Sequence, residues 1–247
     1  MHFIKKFKIL NALDLKLLAM ALMFCDHLWA TLLPGQQWLT NLGRLAFPIF
    51  AFQIVEGYAH THNFPKYLKR MFLFALISEI PFNLMTAGGL MNPFHQNVMF
   101  SFCLGLLLMR FLDYMKGKPL PVYLISIAGT LFLGYLLGMA TFVDYYGYGI
   151  LMLLAFFLLR NVKFGWIGLT AVMLYINGEM MGGLMLPVSL FGRTFEIYQQ
   201  SFAVLALIPI FMYNGRQGSH NRVIQYGAYA FYPFHMLILA LIWLAVT

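Results

Sequence analysis

Apolar residues run through this chain in long blocks, and most polar residues fall in short connections between them. A helix that crosses a bilayer needs about 20 mostly apolar residues, with about 17–25 tolerated. Nine segments fit or approach that length: residues 13–33, 42–59, 71–85, 98–114, 122–141, 148–159, 164–176, 202–213 and 226–246. The sixth, seventh and eighth are short and are extended by polar flanks facing other helices; Gln199, Gln200 and Ser201 precede the eighth. Residues 177–200 break the pattern. They hold Glu179, Arg193 and Glu196 around an apolar stretch, 184–191, interrupted by Pro187. This segment reads as an external loop with a re-entrant piece near 182–196; if it spans instead, there are ten helices. The expected fold is all-α: one polytopic transmembrane bundle over residues 1–247, with no internal repeat, no low-complexity tract and no second domain.

Charge gives the bundle a direction. Lys5, Lys6 and Lys8 precede the first segment. Lys66, Lys69 and Arg70 lie between the second and third, Arg110 at the end of the fourth with Lys116 and Lys118 between it and the fifth, Arg160 and Lys163 between the sixth and seventh, and Arg216 and Arg222 between the eighth and ninth. The alternate connections, 34–41, 86–97 and 144–147, carry almost no bases. Cytoplasmic loops are enriched in Lys and Arg, so the N-terminus and the basic loops belong in the cytoplasm and the C-terminus outside. Ten spans would return the C-terminus to the cytoplasm. The basic start followed by an apolar run without a small-residue cleavage site reads as a retained first span.

Composition narrows the class. Of 247 residues, 62% are hydrophobic and 10% charged, and the mean hydropathy is +0.77. A soluble domain is about 25% charged and 45–50% apolar, and it needs a polar skin. An ordinary soluble enzyme, a disordered chain and a disulfide-stapled secreted domain are excluded. The formal charge of +8 suggests nucleic acid in a soluble protein; here it is an orientation signal, because the bases sit in short loops between apolar runs and are not interleaved with aromatics along a groove. The two cysteines, Cys25 and Cys103, lie inside apolar runs.

Ionisable groups inside a span cost at least about 2.5–3.5 kcal/mol each, so each one asks for a reason. They cluster in the first three segments and the last. The first holds Lys16, Asp26 and His27; the second Arg44, Gln53, Glu56 and His60; the third Ser78, Glu79 and Asn83 around Pro81; the ninth Gln225, Tyr226, Tyr229, Tyr232 and His235. Lys16 and His27 are eleven residues apart, about 20° from a whole number of helical turns, so they share one stripe about 16 Å long. Asp26 points about 100° away from His27 and cannot easily bond to it. A partner for His27 should come from another helix, and Glu56 on the antiparallel second segment is the best candidate.

A structural reading stands beside each of these. Lys16 can snorkel to headgroups, His27 can bond a carbonyl, and Arg44 and Glu56 can form an ion pair. Glu79 can brace the break at Pro81, His235 can belong to a kink at Pro233, and Asp144 can sit in a surface turn. His60, His62 and His95 lie near water. No zinc spacing, phosphate loop or nucleophile elbow appears, so no metal is expected.

Several blocks resemble the TraX family. They are Asp14-Leu15-Lys16, Asp26-His27, Gly43-Arg44-Leu45-Ala46-Phe47-Pro48-Ile49-Phe50, Glu56-Gly57, His60-Thr61, Tyr67, Arg70, Ser78-Glu79-Ile80-Pro81-Phe82, Asn97-Val98 and, at the tail, Phe231-Tyr232-Pro233-Phe234-His235-Met236-Leu237. The resemblance covers nearly the whole chain and is strongest over the first 100 residues. It implies an inner-membrane protein of bacteria akin to a pilin N-acetyltransferase, with distant likeness to membrane acyltransferases of surface polysaccharides. In those relatives a basic residue, ten residues and a histidine mark the first helix and serve acyl-CoA use; Lys16 and His27 match that spacing.

The implied activity is transfer of an acetyl group from cytoplasmic acetyl-CoA to an amine or hydroxyl of an unidentified acceptor at the outer face. His27 is the expected general base, Glu56 its orienting group and Asp26 a further member of the catalytic set. Lys16, Arg44, Lys69 and Arg70 are expected to hold the donor's phosphates. Glu79, Asn97, Asp144, Tyr232 and His235 are expected on the acceptor side, with Asn97 and Tyr232 as oxyanion donors. Two other readings stay open: a transporter or flippase for a small or lipid-linked solute, and a non-catalytic assembly partner of a surface appendage.

Overall fold

The computed structural model describes residues 8–190, 192–219 and 221–246; Lys5 and Lys6 of the expected N-terminal basic cluster lie outside them. Helices dominate in the order α1 (Ala12–Thr31), α2 (Gln37–Gly43), α3 (Ala46–His60), α4 (Phe64–Ala87), α5 (Val98–Met115), α6 (Leu120–Ala140), α7 (Tyr146–Leu159) and α8 (Gly165–Tyr175). A π-helical turn (Ile176–Met180), strands β1 (Met185–Leu190) and β2 (Arg193–Tyr198), and a 3₁₀ helix (Gln199–Ala206) follow, then α9 (Leu207–Phe211) and α10 (Arg222–Val246).

Each of the nine apolar segments falls on a helix, the second on α2 and α3 together and the eighth on the 3₁₀ helix with α9. Among the described residues, four helical stretches are long and apolar enough to cross a membrane: Phe64–Ala87, Val98–Met115, Leu120–Ala140 and Tyr226–Val246. The all-α expectation needs one correction. The segment read as re-entrant is an antiparallel β-hairpin, with Met185 opposite Tyr198 and Leu190 opposite Arg193. Pro187 lacks the N–H a helix needs there, and β-branched Val188, Thr194 and Ile197 favour strand.

The chain forms two compact units, Met1–Gln53 with Thr170–Thr247, and Ile54–Leu169. In the first, α1 begins at a capping box. The Asn11 side chain accepts from the Leu13 and Asp14 amides, and the Asp14 carboxylate accepts from the Asn11 amide at 2.9 Å. Asp14 of the family-like block is therefore a helix-starting residue. Contacts between α1 and α10 advance in the same sense along both helices: Lys16 with Tyr229, Phe24 with Phe231, His27 with His235. The two helices are parallel. Backbone bonds from Leu10 to Met212 and from Ala12 to Arg216 tie the 212–216 connection to the start of α1.

In the second unit, α4 starts at Asn63, whose side chain caps the Lys66 amide, and ends at Gly88 in the left-handed conformation (φ 66°). α6 and α7 approach closely: a Cβ on Gly138 would lie 2.6 Å from the Gly147 backbone. Glycines at such crossings let apolar helices touch backbone to backbone.

Candidate functional site

His27 lies deep in α1, fifteen residues past its first, and His235 lies thirteen past the start of α10. Parallel packing brings residues of similar depth level with each other. His27 Nδ1 and His235 Nε2 are 2.7 Å apart, with the ring planes within 5° and the centroids 4.9 Å apart. Those values describe two imidazoles joined edge to edge in one plane. They do not describe face-to-face stacking, which would separate the nitrogens.

Carbonyl chemistry fixes the protons. His235 Nδ1 lies 2.6 Å from the Phe231 carbonyl oxygen. That oxygen only accepts, so Nδ1 carries the hydrogen and Nε2 of the neutral ring is left as an acceptor. His27 Nδ1–H then donates to His235 Nε2. Neutral His27 keeps a bare lone pair on Nε2, and no group among the described residues bonds to it. The pair is held by hydrocarbon. His235 is 5% exposed, its ring lies over Phe231, and Phe24 and Tyr232 flank it.

On α1 between Lys16 and His27, Ala19 and Met23 are 0% and 8% exposed and Met20 is part-exposed, so packed hydrocarbon faces part of this stripe. Lys16 lies with its ammonium 5.9 Å from the Tyr229 ring.

Asp26 points away from the imidazole, as its spacing requires, and is occupied elsewhere. Its Oδ1 accepts from Arg44 Nη2 at 2.6 Å and from Thr40 Oγ1 at 2.8 Å, and Arg44 Nη2 also donates to Thr40 Oγ1. Arg44 Nη1 donates to Gln200 Oε1, Gln200 Nε2 to Asn177 Oδ1, and Asn177 Nδ2 to the Met173 carbonyl. The chain of bonds ties α1, α2, the 3₁₀ helix and the end of α8 together. Gly43 makes it fit, because a Cβ there would lie 2.3 Å from Asp26 Cβ. The Gly-Arg pair of the family-like block thus serves one carboxylate. Asp26 acts through structure, and Arg44 is committed to it.

The second unit holds the other expected residues. The Glu56 carboxylate bonds Arg160 Nε at 2.5 Å, and the group that meets His27 Nδ1 is His235. Lys69 and Arg70 are exposed at the start of α4, with the Arg70 guanidinium over the Tyr67 ring. Tyr58 donates to Asp113, which also pairs with Lys116 at 2.7 Å.

Asn97 is fully buried, and its amide is committed. Nδ2 donates to the Ala75 carbonyl at 2.8 Å and to Glu79 Oε2 at 2.6 Å, while Oδ1 caps the Met99 amide. An amide with both hydrogens in use cannot be the oxyanion donor expected of it. Glu79 also accepts from the Asn97 backbone and from Asn83.

Asp144 meets His95 Nε2 at 3.4 Å, where the 88–97 connection is stitched to the 141–145 turn by Gln96–Phe142 and Asp144–Gln96 backbone bonds. The Asp144 carboxylate bonded to it holds the His95 imidazole above its ordinary range, against the opposing effect of partial burial, and the charge of Glu79 adds to the rise.

Sequence reasoning missed His235 as the partner of His27, and with it Thr40, Gln200 and Asn177. Equal depth in two parallel helices was the available signal for the first. Short polar side chains outside any motif gave none for the others.

No solved structure matches the chain. A probable fimbrial assembly protein FimC, serogroup H1, of Dichelobacter nodosus is 32% identical over 126 residues, 47% of this chain and 52% of that protein. The chain therefore spans about half the length of this curated relative. The family model described as TraX protein matches residues 12–243. That range takes in the histidine pair, the Asp26–Arg44 network and, among the described residues, α1 to α10 except the last residues of α10, and the chain belongs to the TraX family.

Proposed function

We propose that this chain is a membrane-embedded acyltransferase that moves an acetyl group from acetyl-CoA to an amine or hydroxyl at the outer face of the bacterial inner membrane. The observation that carries the reading is the Phe231–His235–His27 relay. It presents an unprotonated Nε2 in an apolar setting, as a general base requires.

In this reading His27 Nε2 takes the proton from the acceptor amine or hydroxyl as that group attacks the thioester carbonyl. It then returns the proton to the departing thiol. His235 is a positioning residue that fixes the ring and its tautomer, much as a carboxylate or carbonyl bonded to the far nitrogen orients a metal-bound imidazole. Acetyl-CoA supplies an activated acyl group and a phosphate-bearing handle. In the first unit Lys16, and in the second the exposed Lys69 and Arg70, are each of a type that holds phosphate by charge-assisted hydrogen bonds. Because Ala19 and Met23 pack part of the stripe between Lys16 and His27, the acyl arm reaches Nε2 from another face.

Nine crossings with a cytoplasmic N-terminus suit this reading. Parallel α1 and α10 leave the two termini on opposite sides if both cross, which favours an odd count. The basic connections then fall on one side.

A second reading, a non-catalytic role in assembling a surface appendage, is favoured by the partly packed stripe and by the name of the fimbrial relative. Purified protein in lipid nanodiscs with labelled acetyl-CoA distinguishes them. The acyltransferase reading expects CoA release that His27→Ala lowers by about 10²–10⁴-fold while the protein stays folded. Equal turnover in wild type and His27→Ala, or none in either, together with appendage assembly that survives the substitution, favours the assembly role.

A further inference from the structure

The hairpin β1–β2 separates its side chains by chemistry. Residues directly opposite each other in an antiparallel pair share a face. Leu186 with Ile197 and Val188 with Phe195 therefore lie on one face, and Arg193 joins them at the tip. The other face carries Met185 with Tyr198 at the base, then Pro187 with Glu196 and Ser189 with Thr194 toward the tip, where the Ser189 and Thr194 hydroxyls meet at 3.2 Å. The tip turns at Gly192 (φ 75°).

A two-stranded hairpin is marginal in water unless its apolar face is covered. This one is bolted at its base, where the Gln199 amide donates to the Leu184 carbonyl and the Gln199 side chain to Asn41. Beyond the base the described residues leave Phe195 50% exposed and Leu186, Val188 and Ile197 only part-buried.

We infer that the apolar face of the hairpin rests on the phospholipid leaflet. Three observations select lipid as the occupant. The hairpin leaves and rejoins apolar helical segments directly, through the π-helical turn after α8 and the 3₁₀ helix before α9, so its base sits where those segments end. Among the described residues of the apolar face the one charge is the cation Arg193, placed at the far end, where it meets lipid phosphate as a snorkelling residue does. The acid Glu196 lies on the opposite face, turned to water. An apolar stripe with a basic edge and, toward the tip, a polar reverse is the pattern of a segment lying in the interface plane. The hairpin then sets the depth of the Asn177–Gln200–Arg44 network at whose ends it is tethered. The inference rests on the chain being a membrane protein and not on acyl transfer, so a failure of either leaves the other to be judged on its own test.

The test is a nitroxide scan in nanodiscs of zwitterionic and anionic phospholipid, with Cys25 and Cys103 replaced by alanine. Val188→Cys and Phe195→Cys report on one face, Ser189→Cys and Thr194→Cys on the other. Power saturation should show severalfold greater accessibility to oxygen than to a water-soluble nickel chelate at 188 and 195, and the reverse at 189 and 194. Adding Arg193→Glu should reduce the oxygen accessibility at 195. Nickel accessibility at all four positions, or shielding of 188 and 195 from both reagents by a second copy or another protein, overturns the inference.

Discussion

His27 Nδ1 donates to His235 Nε2 across 2.7 Å in a common ring plane, and the Phe231 carbonyl anchors the far side of the second ring. Neither histidine can change tautomer alone. A proton placed on His235 Nε2 meets the His27 N–H, and one removed from His235 Nδ1 leaves two acceptors facing each other at Phe231.

That interlock predicts a strong coupling. His27→Ala should lower CoA release by about 10²–10⁴-fold. His235→Ala should lower it by about 10–100-fold by freeing the ring of His27. The double variant should be no worse than His27→Ala, because residues acting as a unit are not additive. Nitrogen NMR of labelled histidine gives a readout apart from activity: His27 should carry its proton on Nδ1 in wild type and a mixture of tautomers in His235→Ala. Independent, additive effects with an unchanged spectrum would show that His235 does not position His27.

The Asp26–Arg44 network makes a separate prediction about folding. Gly43→Ala pushes a methyl into Asp26, and overpacking of this kind costs about 1–3 kcal/mol. Arg44→Ala leaves Asp26 with Thr40 alone. The two groups are each 22% exposed, so the loss should fall somewhat below that of a fully buried pair, at about 2–4 kcal/mol. Thermal unfolding in one detergent should show both losses. Arg44→Lys should recover only part, because a single ammonium cannot reach Asp26, Thr40 and Gln200 together.

Helix positions were legible in the sequence because bilayer thickness imposes a length that few soluble helices share. The nine apolar blocks reappear on helices, and four helical stretches among the described residues are long and apolar enough to cross a membrane. Residues 182–196 were misread because a short apolar run fits a buried helix piece as well as a strand; the alternation that settles it appears only once Val188 is set opposite Phe195. At the candidate site, His27 stood out as a costly residue in a span. Its partner did not, since helical periodicity orders residues within one helix and says nothing about which helices touch. Glu56 was the nearest antiparallel choice on paper, and its commitment to Arg160 depends on a residue over 100 positions away.

His95 gives a pH prediction on the loop side of the second unit. Its imidazole is raised above the ordinary value of about 6.5 by Asp144, with Glu79 adding to the effect. A raised histidine contributes stability that is complete below the ordinary value and is lost as the pH climbs through the raised one. The stability difference between wild type and His95→Ala should therefore be largest below about pH 6.5 and shrink as the pH rises above it. His95→Gln should show a smaller difference with no such trend. A gap that widens with rising pH would mean that His95 is not held charged by Asp144.

Asn97 and Glu79 separate a structural role from a chemical one. If Asn97 were an oxyanion donor, Asn97→Ala would lower turnover and leave stability alone. Its amide is spent instead on Ala75, on Glu79 and on capping Met99. Removing it deletes a helix cap and takes one N–H from the Glu79 carboxylate and one from the Ala75 carbonyl, which should cost about 2–3 kcal/mol of stability. Asn97→Asp tests the same geometry from the other side. It keeps an oxygen for the Met99 amide but sets a second carboxylate against Glu79, and like charges at that distance repel. Asn97→Asp should therefore unfold at least as readily as Asn97→Ala, and Glu79→Gln should partly rescue it by removing one of the two charges. Rescue of stability by a change at Glu79 is expected only if the two side chains act as one capping unit at the start of α5; an oxyanion donor would show no such dependence.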